Sequence, residues 1–454
     1  MPANTSRRDG GTLLCVATAT AITACALTGP AFSADMFDAD SPYMFGDWNG
    51  QRSDLARRGY DFKLDYVGEA GANLHGGYDH DHVARYSDQI GLGAHLDLQK
   101  ILGWHGADFQ VTVTDRNGDN ISNDRINDPR VGGFTSAQEV WGRGQIWRLT
   151  QLWYRQTFLD DKLDIKVGRF GEGEDFNSFP CDFQNLAFCG SQVGNWAGSI
   201  WYNWPVSQWA MRVKYHITPE LYAQVGAFEQ NPSNLENDNG FKLSGSGTEG
   251  ALIPVELVWT PKVQGLPGEY RIGYYYSSAD ATDVYKDSNG NAAALSGNSY
   301  RSASSKHGMW LGARQQLTSL ASDGSRGLSV FANLTLHDKK TNAIDNYVQA
   351  GVVYKGLLDA RPADDIGLGL ARIHVNPAYR HNAEAVNAAN DVSSYEDSAY
   401  LPVQRTEYSA ELNYGIHVAN WLTLRPNVQY IRHPGGVSQV DDALIGGLKV
   451  QASF

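Results

Sequence analysis

The chain lacks most of what would mark a common protein class. Outside residues 13–27 it has no apolar run approaching the ~18 residues of a membrane-crossing helix, which excludes a helical membrane protein. Basic residues are outnumbered, 37 Lys and Arg against 50 Asp and Glu for a net charge of -13, so the basic face that nucleic acid requires is missing. No G-x-S-x-G, H-E-x-x-H or G-x-x-x-x-G-K-[ST] pattern occurs, and no enzyme is implied. Two segments imitate metal sites. Asp79-His80-Asp81-His82 reads as a solvated loop tip, and DRNGDNISND (115–124) has Asn120 where a calcium loop needs Gly and Ile126 where it needs its final carboxylate. No cofactor and no metal are therefore expected. What the chain does have is 23 Tyr, 12 Trp and 48 Gly at a mean hydropathy of -0.39. Glycines and aromatics spread over short alternating segments suit a large antiparallel β structure.

The N-terminus carries an address. Arg7 and Arg8 precede the apolar stretch Leu13 to Leu27, and Ala31-Phe-Ser33-Ala34 follows, the layout of a signal peptide over residues 1–34 with cleavage near Ser33 or Ala34. A lipobox-like Ile22-Thr-Ala-Cys25 and a twin-arginine reading are weaker rivals that also lead to export. Of the 4 cysteines, Cys15 and Cys25 leave with the signal. Cys181 and Cys189, in NSFPCDFQNLAFCGSQ, are close enough to close a short loop in an oxidising compartment, and a disulfide is expected. Neither has a His or third Cys at ligand spacing, so metal binding is the weaker alternative.

Along the chain, segments such as YDFKLDY, IGLGAHLDL, ADFQVTVTDR, TQLWYRQTFL and WLTLRPNVQY alternate apolar with polar residues, the period of a half-buried strand. There are about sixteen of them. Tight connections at Asp160-Asp161, Thr218-Pro219 and Gly415 to Asn420 alternate with long polar ones at 117–148, 170–207, 230–250, 279–306 and 375–403. Short turns at one end and long loops at the other predict an all-β, up-and-down transmembrane barrel over residues 60–454. Residues 35–59 form a periplasmic N-terminal segment with a short helix over Asn49 to Arg58, where Asp54 and Arg58 are spaced for an i,i+4 pair and Gly59 ends the helix. That segment is too short for the plug of an energised transporter, so passive conduction is expected.

Parity assigns the faces. Phe109, Val111 and Val113 point to lipid, leaving Gln110, Thr112, Thr114 and Arg116 toward a wet lumen. Leu152, Tyr154 and Phe158 oppose Gln151, Trp153, Arg155 and Thr157 in the same way. In the terminal ALIGGLKVQASF, Lys449, Gln451 and Ser453 face inward and the ring of Phe454 faces the bilayer.

Several stretches also resemble the carbohydrate-selective porins of the OprB type. They are MFGDWNGQRSDLARRGYDFKLDYVGEAGANLHGG, RLTQLWYRQTFLDDKLDIKVGRFGEGEDF, the Cys181 to Cys189 loop, WPVSQWAMRVKYHITPELYAQVGAFEQNP and the terminal Phe. The resemblance covers nearly the whole mature chain. It implies a 16-stranded outer-membrane channel that admits sugars by diffusion, glucose-like monosaccharides or small oligosaccharides, with both termini periplasmic. Lipid and lipopolysaccharide would surround it as a monomer or homotrimer. The alternatives are a general or anion-preferring porin, or an adhesin or structural barrel.

The long 170–207 segment, with Phe176, Phe179, Phe183 and Trp196 and its cysteine pair, is expected to fold into the lumen and narrow it. A sugar meets donors and acceptors best where cations and carboxylates mix, and the expected constriction is Arg116, Arg155, Arg169, Glu172, Glu174, Asp175 and Trp196.

Overall fold

The computed structural model of the chain describes residues 36–320 and 324–454; the expected signal segment lies outside them. Sixteen antiparallel strands close into one barrel. The first four are β1 Tyr60–Gly77, β2 Ala84–Asp97, β3 Ala107–Gly118 and β4 Arg148–Phe158. Then come β5 Leu163–Phe170, β6 Gln208–Thr218, β7 Leu221–Gln230 and β8 Gly250–Trp259. The next four are β9 Leu266–Ser277, β10 Lys306–Gln316, β11 Gly327–His337 and β12 Ile344–Lys355. The last are β13 Asp365–Val375, β14 Thr406–Ala419, β15 Leu422–Arg432 and β16 Asp441–Ser453. Each strand pairs with its sequence neighbours, and β16 pairs with β1 in a register that sets Glu69 opposite Lys449. Closure leaves no edge with unpaired backbone groups, the condition for a sheet to lie in hydrocarbon.

The alternating pattern becomes two walls. On β8, Ile253, Val255 and Leu257 are exposed on the outside while Leu252, Glu256 and Val258 are buried inside. Exposed aromatics ring the outer wall near both ends, Trp147, Trp209 and Tyr276 by the long loops and Phe158, Tyr215 and Trp259 by the short turns. At the short-turn end, helix α1 (Gln51–Arg57) pairs Asp54 with Arg58 at 2.6 Å, and Gly59 ends it at φ 99°. Asn49 and Gly50 are left-handed, which starts the helix two residues later than the spacing predicts. Arg52 donates to the carbonyls of Phe454 (2.8 Å) and Phe62 (2.7 Å). The Phe454 ring sits 5.3 Å from Phe45 in an outer-wall groove with Leu64, Leu92 and Val111.

The interior is not an open tube, because two loops from the long-loop end fold into it. From residues 171–207, Phe176, Val193, Ile200 and Trp201 pack against Phe228, Leu252, Tyr275 and Trp310 on β7 to β10. Phe183, Phe188 and Trp196 pack against Phe331, Tyr347, Ala371 and Ile373 on β11 to β13. The barrel wall leaves space for these rings: a Cβ on inward-facing Gly369 would lie 2.9 Å from Phe188. From residues 119–147, Ile121, Ile126 and Ala137 pack on Ile431, Ala443 and Ile445. The passage that remains borders β16 and β1 to β3.

Candidate functional site

Where the two loops meet that passage they leave a cavity of about 570 Å³. β3 contributes Arg116, β2 Gln89 and β16 Lys449; the 119–147 loop adds Glu139, Trp141 and Arg143; the 171–207 loop adds Glu174, Asn195, Asn203 and Trp204. Gln89 accepts from Arg116 Nε at 2.8 Å and from Trp204 Nε1 at 3.0 Å, so the two terminal amino groups of Arg116 keep their protons for the passage. Arg143, also in the lining, sits in a left-handed backbone conformation, φ 64°. Its guanidinium has no hydrogen-bond partner among the described residues, while its carbonyl accepts from Arg148 Nε at 2.8 Å. The cavity lining thus brings these donors together with the acceptors Glu139 and Glu174 and with two indoles, Trp141 and Trp204. This eyelet can exchange hydrogen bonds, as donor and as acceptor, with a polyhydroxylic solute.

Buried carboxylates on the strands hold the loops by accepting from their backbone. Glu411 takes the N–H groups of Gln184 (3.0 Å) and Asn185 (2.7 Å). Glu256 takes Asn177 N at 3.0 Å together with Trp310 Nε1 at 2.8 Å. Cys181 and Cys189 are disulfide-bonded beside Glu139, so no thiolate is left for a metal. Below the eyelet an ion-pair ladder descends the wall. Lys166 bridges Glu174 (3.3 Å) and Asp175 (2.5 Å), Arg212 joins Asp175 (3.3 Å) to Asp164 (2.9 Å), and Arg155 joins Asp164 (3.2 Å) to Asp108 (3.6 Å).

Residues 81–454 match the family described as carbohydrate-selective porin, OprB family. The chain belongs to that family. It is 64% identical over 436 residues, 96% of each chain, to Porin B of Pseudomonas aeruginosa. The high-pH structure of Pseudomonas putida OprB superposes with a TM-score of 0.92 at 66% identity, over 92% of this chain and 100% of that one. The barrel is therefore a porin of the bacterial outer membrane.

The porin does not gather the seven expected constriction residues into one ring. Arg116 and Glu174 line the eyelet. Asp175 lies just behind it, fully engaged by Lys166 and Arg212. Arg155 belongs to the ladder: Asp108, its register partner, is about 26 Å along β3 from Arg116 at ~3.3 Å per residue. Arg169 is on the outward parity of Val167, opposite Leu152 and Trp209, and donates to the carbonyls of Ser207 (2.6 Å) and Lys242 beneath the 231–249 loop. Glu172 accepts from Tyr202 N at 3.1 Å, and burial pushes its carboxyl up to about 8, so it adds little charge at neutral pH. Trp196 stacks on Tyr347 at 4.8 Å inside the loop-to-wall core. Glu139, Trp141 and Arg143 were missed because strand parity does not reach into a loop. The density of charge and aromatics in EVWGRGQIW, the signal used for 170–207, marks them equally well.

Proposed function

We propose that this porin admits uncharged carbohydrates of one or two rings by passive diffusion, without catalysis or energy input, and that the eyelet selects them. The observation that carries this reading is that Arg116 and Arg143 line the same cavity as Glu139 and Glu174, with a volume of about 570 Å³, within the size range of sites that enclose a small ligand. Guanidinium groups donate without accepting, and carboxylates accept without donating, so together they replace water around hydroxyls that do both. The carboxylates also offset the cations, which disfavours an anion as permeant. In this reading the short-turn end and both termini face the periplasm, the long loops face outward, and lipid and lipopolysaccharide surround the outer wall.

Liposome swelling with purified protein tests it. Glucose should enter faster than gluconate or glucosamine of similar size and faster than a trisaccharide. Arg143→Ala should cut the advantage of glucose at least threefold. Entry of gluconate as fast as glucose would instead support a general or anion-preferring pore.

A further inference from the structure

We propose that Lys449, on the closing strand, is the positioning residue that holds Glu139 in the eyelet and sets the eyelet's charge balance. The inference rests on the sugar-eyelet reading for its consequence, but its geometry stands alone. Lys449 is 1% exposed, and its ammonium reaches Glu139 at 3.0 Å and Glu69 at 3.2 Å. It also donates to the carbonyls of Cys181 (3.2 Å) and Phe183 (3.0 Å), one at and one inside the disulfide loop. A single side chain thereby grips both loops that form the constriction.

Glu69 completes the arrangement from the other side of the barrel seam. It faces Lys449 in register across the β1 to β16 pairing, and its other carboxylate oxygen accepts from Val140 N at 3.1 Å, the residue after Glu139. Its carbonyl accepts from Gln138 Nε2 at 2.9 Å. The pair exists only when the last strand has met the first, so the eyelet acid is placed by barrel closure itself. Lys449 also supplies the ammonium shared by two carboxylates, Glu69 and Glu139. Removing the ammonium leaves Glu69 and Glu139 uncompensated in a site screened from bulk water, where a charge acts more strongly than at a surface. The eyelet then becomes anionic, and Glu139 loses the contact that aims it.

Planar bilayers test this on the full chain, with the reversal potential in a KCl gradient and the glucose concentration that half-blocks the ion current. Lys449→Met should shift the potassium-to-chloride permeability ratio toward potassium at least threefold and raise the half-blocking concentration at least threefold. Lys449→Arg should keep both near wild type. Glu69→Gln combined with Lys449→Met removes one carboxylate and should return the ion preference to wild type while glucose block stays weak, a split that loosened packing alone does not produce. A wild-type ion preference in Lys449→Met overturns the proposal. If Lys449→Met gives no folded barrel, the double variant decides: weak glucose block supports it and wild-type block overturns it. Wild-type protein that glucose fails to block defeats the sugar reading, and ion preference then decides the role of Lys449 independently.

Discussion

Replacing Glu411 by alanine removes the acceptor for two neighbouring backbone N–H groups, Gln184 (3.0 Å) and Asn185 (2.7 Å), at the centre of the disulfide loop. Glu411 is fully buried, and Asn413 Nδ2 at 3.2 Å is its remaining partner, so water does not readily take its place. Hydrogen bonds to a charged group contribute ~1.5–3 kcal/mol each, and the low end for both gives ~3 kcal/mol of lost docking. At ~1.4 kcal/mol per factor of ten, local opening of this loop becomes ~150-fold more frequent. Hydrogen exchange read by mass spectrometry on peptides spanning 182–190 should accelerate by that order in detergent, and single-channel conductance should rise. Glu407→Ala is the control, because Glu407 accepts from Gly435 N (2.6 Å) and Thr135 Oγ1 (2.6 Å) and should loosen the 119–147 loop instead. Exchange at Gln184 and Asn185 within threefold of wild type, with unchanged conductance, would refute the view that buried carboxylates hold the constriction.

Other expectations concern the wall and the path. Arg169→Ala should leave glucose flux within twofold of wild type while exposing the 231–249 loop to protease, because its guanidinium lies on the outward parity under that loop; a several-fold fall in flux would return Arg169 to the eyelet. Gly91 shares the inward parity of Gln89, and a Cβ there meets nothing within 4 Å, so Gly91→Phe should lower conductance below the eyelet with a melting temperature within a few degrees of wild type. An unchanged conductance would show that the passage does not follow β2. Sugar entry in cells whose inner-membrane transport is bypassed should be indifferent to a protonophore, and abolition would contradict passive diffusion.

Much of this porin is legible from single residues because a strand's period is local. Alternation in ADFQVTVTDR already separates Val111 and Val113 from Thr112, Thr114 and Arg116, and the same rule places Lys449 inward without knowledge of its neighbours. Loop lengths give the two ends, and Asp54, Arg58 and Gly59 give the helix, since capping and i,i+4 pairing act within one turn. Parity tells only which side of the wall a residue occupies. It does not tell height or partner, so Arg155 and Arg116 look alike in sequence and lie about 26 Å apart along the wall.

The eyelet itself was decided by tertiary structure. Which loops turn inward depends on contacts between residues far apart in the chain: rings of the 171–207 loop against space left by glycines such as Gly369, and backbone N–H groups against Glu256 and Glu411. Arg143 joins Arg116 because the 119–147 loop is docked against the wall, by Ile121 and Ile126 on Ile431 and Ile445 and by Lys449 and Glu69, and the Lys449 to Glu139 contact joins residues 310 positions apart. Desolvation and ion pairing of that kind are properties of the closed barrel. No local pattern records them, so the sequence by itself determined a wet channel of the right size, and the closed barrel decided which of its many charges meet the solute.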